Sequence, residues 1–360
     1  MAREYRIVVL PGDGIGPEIV EAALEVLDAL QEVSGDFRLS YSFHQGGAGH
    51  YLATGEPMGR ETMEAIRASH AALKGPVGLP DVRRQDGTEA GLLGGLLRVG
   101  LDLYANVRPI SLLPKVRSPL ADVEPEGIDY VIVRENTEGL YLSRGVGLVT
   151  PQAAADTLLL TQLGCERIVR FAFQLSLKKH RGAPEDGRRR VTLVDKSNVL
   201  RSFAFFRRIF LGVAEEFPEV HSECLYADAA AAALVDRPGH FQVIVTENFL
   251  GDILSDLGGA TVGGLGFCPC ANIGEKHAYF EPIHGSAPDI AGRGLANPTA
   301  QILAAAMMLE YLGESAAAET LRTSLRRLWA EGLVELEAGG RVVGGASEVA
   351  RLLKEIISGR

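Results

Sequence analysis

Short runs of β-branched and apolar residues alternate along the chain with longer stretches that repeat apolar positions every three or four residues. That alternation predicts α/β layering. Tyr5 to Leu10 has the pattern of a buried strand, and after Gly12-Asp13-Gly14-Ile15-Gly16-Pro17-Glu18 the pattern becomes helical through Leu30. Glu61 to Arg67 predicts a helix ahead of a strand at Ala71 to Gly75. Tyr130-Val131-Ile132-Val133 and Gln242-Val243-Ile244-Val245-Thr246 have the composition of buried strands. The second of these runs straight into Glu247 to Asp256, ENFLGDILSD, where a helix is expected to start near Gly251. Pro298 to Gly313 is expected to be an amphipathic helix rich in alanine and methionine, with further helices at Leu321 to Glu331 and Ser347 to Ile357. Such compositions are core packing far more often than a cofactor box, so this region reads as scaffold.

At 360 residues the chain is long enough for two α/β lobes, each with its own core. No apolar run approaches the roughly 18 to 20 residues of a membrane span, and the start lacks the charged-then-apolar pattern of a signal segment. A cytoplasmic location with no membrane partner is therefore expected. The net charge of −10 disfavours nucleic acid as a partner. Two basic runs, Lys178 to Arg181 and Arg188 to Arg190, are read as a solvated loop around an acidic turn. Cys165, Cys224, Cys268 and Cys270 show neither CxxC nor Cys/His spacing, which points to reduced thiols.

Charged residues at strand ends carry the candidate chemistry. Asp252 and Asp256 stand four apart, on one face of the expected helix. Oxygen-only ligands of this kind suit Mg²⁺ or Mn²⁺, while an acidic first turn favoured by the helix dipole is the plainer explanation. Asp228 adds a carboxylate among alanines in YADAAAAALV. Arg98, Arg108 and Arg134 have the placement expected of two-pronged carboxylate binders at the ends of buried strands, which suggests a polyacid substrate. Tyr141 and Lys196 are candidate proton carriers beside such a cluster. The Gly12 to Gly16 turn fails the dinucleotide fingerprint at its third glycine and leaves open whether it meets a ligand. In FEPIHGSAPDIAGRGLANP, His284 can donate to phosphate and Asp289 can accept from a ribose diol, a preference for NAD over NADP.

Together GDGIGPE, LDLYANVRP, VRENTEGLY, VDKSNVL, VTENFLGDILSD and EPIHGSAPDIAG with RGLANPTA resemble the β-decarboxylating dehydrogenases, the family of 3-isopropylmalate, isocitrate, homoisocitrate, tartrate and D-malate dehydrogenases. The matching segments span Gly12 to Gly313. The resemblance implies two α/β lobes around a central mixed sheet, with residues 1–103 and 264–360 as a discontinuous NAD-binding lobe. Residues 104–263 would then form the metal, substrate and dimerisation lobe. It also implies a homodimer with shared active sites and a small hydroxy diacid substrate. Carried over by position, Arg98, Arg108 and Arg134 hold the malate carboxylates, while Asp252 and Asp256 bind Mg²⁺ or Mn²⁺ with Asp228 of a second copy. Lys196, also from across the dimer, takes the hydroxyl proton, and Tyr141 protonates the enolate after CO₂ leaves. The NAD set is His284, Gly285, Ser286, Ala287, Asp289, Ile290 and Asn297.

Within the family the helix before Arg98 faces the substituent at C3 of the malate core. Here it reads Leu92-Leu93-Gly94-Gly95-Leu96-Leu97, with Gly95 where homoisocitrate enzymes carry an arginine. No serine and asparagine of the isocitrate kind stand there, while VRENTEGLY is closer to the isocitrate and homoisocitrate branch. A roomy apolar pocket favours a neutral substituent. The expected reaction is therefore NAD-dependent oxidative decarboxylation of a (2R,3S)-type 3-substituted malate, 3-isopropylmalate to 2-oxoisocaproate and CO₂, as in leucine biosynthesis. D-malate, tartrate or an unusual 3-substituted malate come next, then isocitrate or homoisocitrate. A non-catalytic regulatory subunit is the contrasting reading, disfavoured because Tyr141, Lys196, Asp228, Asp252 and Asp256 are all present.

Overall fold

The computed structural model describes residues 2–121, 123–337 and 339–359. Its chain divides into two compact units, Met1–Leu101 with Leu113–Arg117 and Gly263–Arg360, and Asp102–Leu112 with Ser118–Val262. The first unit begins with β1 (Arg3–Leu10), α1 (Gly16–Ser34), β2 (Phe37–Phe43), α2 (Ala48–Thr54), α3 (Arg60–Ala68), β3 (Ala71–Lys74) and α4 (Gly94–Gly100). The second is made of β4 (Ala105–Ser111), β5 (Asp129–Glu135), the short hairpin β6 (Leu148–Val149) and β7 (Ala154–Ala155), α5 (Gln162–Lys178), β8 (Arg190–Asp195), α6 (Arg201–Ala214), β9 (His221–Tyr226), α7 (Ala227–Asp236), β10 (Val243–Thr246) and α8 (Asn248–Thr261). The chain then completes the first unit with β11 (Pro269–Ile273), β12 (Ala278–Pro282), α9 (Thr299–Tyr311), α10 (Ser315–Glu331) and α11 (Gly345–Ile357). No helix among the described residues is long and apolar enough to cross a membrane.

In the first unit the strands lie in the order β2-β1-β3-β12-β11, parallel except for β11, which runs antiparallel to β12. α1 buries Ile19, Val20, Ala23, Val26, Leu27 and Leu30, an i, i+3/i+4 stripe, and continues past the predicted Leu30 until Gly35 closes it in the left-handed region. The turn between β1 and α1 is closed by its own contacts. Both oxygens of the buried Asp13 carboxylate are used, Oδ2 accepting from the amides of Ala48 (2.7 Å) and Gly78 (2.8 Å) and Oδ1 from that of Gly49 (2.9 Å). Ile15 donates its amide to the Ser286 carbonyl (2.8 Å), and a Cβ on Gly14 would lie 2.0 Å from that same oxygen. Gly14 is thus needed for backbone to meet backbone, and the turn requires no ligand to explain it.

In the second unit the order is β4-β5-β10-β8-β9, parallel except for β4. β10 is covered on both faces, as its unbroken apolar run predicts. Its register sets Thr246 beside Arg134 and Val194, so the carboxyl ends of β5, β10 and β8 deliver Arg134, the start of α8 and Lys196 to one edge. That edge is where open α/β sheets hold ligands.

Four expectations are corrected. α8 starts at Asn248, not near Gly251, because Glu247 caps it by accepting the Leu250 amide (3.1 Å). α9 is not amphipathic: Thr299, Ala300, Gln301, Ile302, Ala304, Ala305, Ala306, Met308 and Leu309 are all buried, so small residues serve close packing on most sides. Arg190 does not belong to a solvated loop, since it opens β8 buried against the Asp186 carboxylate (2.7 Å). Arg98 and Arg108 do not sit at strand ends: Arg98 is in the last turn of α4 and Arg108 lies within β4. Asp13→Ala, by stranding three backbone amides, is expected to lower stability by roughly 3 kcal/mol, read as a fall in the denaturation midpoint.

Candidate active site

The second unit gathers Arg108, Arg134, Tyr141, Asp252 and Asp256 into one cluster. Asp252 and Asp256 project from the second and third turns of α8, so the first-turn dipole explanation for them fails. Arg134, almost wholly buried, donates Nη1 to Asp252 Oδ1. Arg108 Nη1 lies 3.3 Å from the same oxygen and 3.7 Å from Asp256 Oδ1. Tyr141 donates its hydroxyl to Asp252 Oδ2 (2.9 Å), and burial, with Asp252 adding to it, raises the phenol above its ordinary range. Burial also raises the Asp256 carboxyl, opposed by Arg108. Two half-exposed carboxylates one turn apart, offering only oxygen, fit a hard divalent cation. Among the described residues no three acidic, His or Cys side chains of this one chain come together as a metal cage.

Both arginines also have uncharged partners. Arg108 Nε donates to Asn106 Oδ1 (2.7 Å) and its Nη1 to Ser255 Oγ (2.6 Å). Arg134 donates Nε (3.0 Å) and Nη2 (2.7 Å) to Asn248 Oδ1. The stem of Arg134 lies so close beneath α8 that a Cβ on Gly251 would sit 2.7 Å from its Cγ.

Lys196 and Asp228 pair with each other, Nζ to Oδ1 at 2.9 Å, and the hydrogen bond from Lys196 holds the Asp228 carboxyl below its usual range. They stand at the β8 and β9 side of the unit, Lys196 just past β8 and Asp228 in the first turn of α7 behind β9.

Arg98 belongs to the first unit, in a buried ionic group. Glu281 Oε2 receives Lys74 Nζ at 2.7 Å, Glu281 Oε1 lies 3.4 Å from Arg98 Nη2, and Arg98 Nε donates to the Tyr279 hydroxyl (3.3 Å). Burial alone would raise the Glu281 carboxyl; Lys74 and Arg98 outweigh it and bring it down to about 2. Lys74 also donates to the Gly75 carbonyl (2.8 Å).

The loop from His284 to Asn297 is anchored at both ends. Ser286 donates to the Gly78 carbonyl, Ala287 takes a positive φ of 39°, and Asn297 accepts the Thr299 amide (3.0 Å) while donating to Gly340 O (3.1 Å). Ile290 donates its amide to Ala287 O (3.1 Å), and Gly285 lies exposed. His284 donates Nδ1–H to Gly285 O (2.9 Å), its Nε2 is buried with no partner among the described residues, and burial lowers its pKa, which favours the neutral ring. Asp289 is exposed, with Arg341 at 3.9 Å. A ring nitrogen left as an acceptor and an exposed carboxylate fit the hydroxyl groups of a nucleotide, so the expected donation from His284 to a phosphate is not what this neutral ring offers.

Sequence reasoning passed over Asn106, Asn248, Ser255, Lys74, Tyr279 and Glu281. Asn106, Asn248, Ser255 and Glu281 lie inside the motifs already singled out, each within a few residues of a named candidate, and that spacing is the available signal.

The chain belongs to the isocitrate/isopropylmalate dehydrogenase family, whose model matches residues 6–341. It is an oxidoreductase that decarboxylates a small hydroxy acid. Among curated relatives it is 40% identical to 3-isopropylmalate dehydrogenase of Methanothermobacter thermautotrophicus, over 98% of this chain and 100% of the relative. It is equally 40% identical to 3-isopropylmalate/3-methylmalate dehydrogenase of Methanocaldococcus jannaschii, over 98% of this chain and 99% of that one. A solved structure of isocitrate dehydrogenase from Methylococcus capsulatus superposes with a TM-score of 0.86 at 35% identity, covering 98% of this chain and 99% of the other.

Two outcomes follow from the packing and the charges. Gly251→Ala is expected to cost roughly 1–3 kcal/mol by overpacking against Arg134, more than the ~1 kcal/mol that alanine gains in a helix, measured by denaturant unfolding. Glu281 is ordinarily protonated near pH 4.5 and here near 2, so its stabilisation is complete above pH 4.5 and disappears as pH falls toward 2. Denaturant unfolding of Glu281→Gln should accordingly show a shallower loss of stability across that window than the unaltered chain.

Proposed function

We propose that the chain catalyses NAD-dependent oxidative decarboxylation of a 3-substituted malate, with 3-isopropylmalate as the substrate, in a homodimer with shared sites. The observation that carries this choice is the first turn of α4. A Cβ on Gly94 would stand 3.5 Å from the Arg98 guanidinium carbon, so the absence of a side chain leaves room directly beside that arginine. Of the four leucines in this stretch, Leu93 and Leu97 are buried in the unit, which leaves Gly94, Gly95, Leu96 and the half-buried Leu92. Lys74, the other cation of the ionic group that holds Arg98, is committed to Glu281 and to a carbonyl and has no charge to spare for a distal carboxylate. These features support a neutral C3 substituent. The names of the two relatives, 3-isopropylmalate dehydrogenase and 3-isopropylmalate/3-methylmalate dehydrogenase, agree with it.

NAD, where bound, would supply the hydride acceptor, and a divalent cation, Mg²⁺ or Mn²⁺, where bound, would supply positive charge to the C2 oxygen. The remaining steps fall to side chains of the protein. Arg98, Arg108 and Arg134 hold the carboxylates by charge-assisted hydrogen bonds. Asp252 and Asp256, with Asp228 of a second copy, supply the oxygens that hold the cation. Lys196, also from the second copy, takes the hydroxyl proton as the C2–H bond is broken. Loss of the β-carboxyl group as CO₂ leaves its electron pair on C3, and the Tyr141 phenol, kept protonated by burial, delivers a proton there. The sum is 3-isopropylmalate and NAD giving 2-oxoisocaproate, CO₂ and NADH.

A second copy is supported by the surface around Lys196 and Asp228, where Val199, Leu200, Tyr226 and Val235 are exposed. His284, Gly285, Ser286, Ala287, Asp289, Ile290 and Asn297 hold the cofactor, with Asp289 disfavouring a 2′-phosphate.

NADH formation against 3-isopropylmalate, D-malate, tartrate, isocitrate and homoisocitrate, with Mg²⁺ or Mn²⁺, tests the reading. 3-Isopropylmalate should turn over fastest, a chelator should abolish the rate and either cation should restore it. Faster turnover of isocitrate or homoisocitrate would overturn the pocket argument, and binding without turnover of any acid would make the chain a regulatory subunit. Tyr141→Phe is expected to lower kcat by about 10²–10⁴ with little change in KM, measured in the same assay.

A further inference from the structure

We propose that Asn248 is a positioning residue that sets the orientation and preserves the charge of Arg134; the inference rests on the reading of Arg134 as a carboxylate-binding residue. Asn248 occupies the first helical position of α8 and is buried. Helix capping does not account for it, since the cap acceptor is the Glu247 carboxylate. Its carboxamide oxygen instead takes both Nε (3.0 Å) and Nη2 (2.7 Å) of Arg134, and its Nδ2 donates to the Glu138 carbonyl (3.0 Å). One planar amide, fixed at its far end by backbone, therefore holds one whole edge of one planar guanidinium.

A guanidinium is rigid, so holding the Nε and Nη2 edge decides where Nη1 points, and here it points at Asp252 within the cluster. The acceptor is also neutral. A carboxylate at the same place would hold the edge as well or better, but it would cancel the charge that Arg134 offers to an anionic ligand. A related arrangement recurs at Arg108, whose Nε donates to the uncharged Asn106 Oδ1, whereas Arg98 donates Nε to the Tyr279 hydroxyl and Nη2 to the charged Glu281 (3.4 Å). Asn248 differs in carrying two donors of its arginine, and its own far end is tied to the segment that follows β5. Orientation and charge are thus separable properties of one side chain.

The two properties are tested by two variants. Asn248→Ala removes the hold, whereas Asn248→Asp keeps the shape and the acceptor and adds a negative charge beside Arg134. Each should raise KM for the best hydroxy diacid by about tenfold or more, with KM for NAD changed less than about twofold. Arg134→Ala is made in parallel and combined with each. In the Arg134→Ala background both Asn248 substitutions should alter KM for the acid less than about twofold, because a positioning residue has nothing left to position. A merely structural role predicts the same loss in either background, and that result would overturn the proposal. So would an unchanged KM for the acid in both single variants while Arg134→Ala raises it. If Arg134→Ala itself leaves KM for the acid unchanged, the reading of Arg134 fails and the inference fails with it, an outcome distinct from the other two.

Discussion

Two buried guanidinium groups share one carboxylate, Asp252, at the carboxyl edge of a parallel sheet, and the second unit is built to make that contact possible. Parallel pairing of β5 with β10 brings Arg134 level with Thr246, one residue before the Glu247 cap of α8. The helix then returns its second turn over the arginine. Only a glycine at position 251 lets it pass, since any Cβ would overlap the arginine stem. Strand register, helix cap and a missing side chain act together on a single ion pair. None of them would be needed for a helix that merely covered the sheet.

The two units handle buried charge by different means. In the first, Lys74, Arg98 and Glu281 sum to one positive charge, and the carboxylate between two cations stays ionised far below its ordinary range despite burial. A fixed group of that kind keeps its shape whether or not a ligand is present, because losing the shared Glu281 carboxylate would leave two cations desolvated and unpaired by it. In the second, Arg108 and Arg134 face Asp252 and Asp256, so formal charge cancels within the cluster. Its partners are half exposed and can be exchanged.

Much of this was legible in the chain itself. The buried strands at 130–133 and 242–246, the position of β3 and the paired carboxylates of ENFLGDILSD follow from periodicity and spacing, because parallel strands and helix faces leave short-range patterns. The errors share a cause. The alanines and methionines of α9 do not reveal how many faces are covered, and only its packing within the unit decides that. Arg190 looked like part of an exposed basic run, but its burial depends on Asp186 and His240, the latter fifty residues away. The start of α8 was placed too late because glutamate is a less usual cap than serine or aspartate. Asn106 stands two residues from its arginine and Asn248 stands 114 residues from its own, and in neither case does the sequence say which edge of the guanidinium the amide will meet.

That cancellation of charge in the second unit bears on the proposed chemistry. With two arginines and two aspartates facing one another, the cluster has no net attraction for a dianion while its own pairs are intact. It acquires that attraction only when something of positive charge draws Asp252 and Asp256 away, and it can offer those aspartates only when something anionic occupies the arginines. Each ligand of the proposed reaction therefore removes the internal partner that opposes the other, so the diacid and the cation should strengthen one another's binding. Tyr141 is carried along in the same exchange, because the oxygen its hydroxyl now serves is Asp252 Oδ2. Releasing that oxygen frees the phenol to turn toward a bound acid while burial still keeps it protonated. A neutral tether behind each arginine is what makes such an exchange workable: the guanidinium stays in place when its carboxylate partner changes.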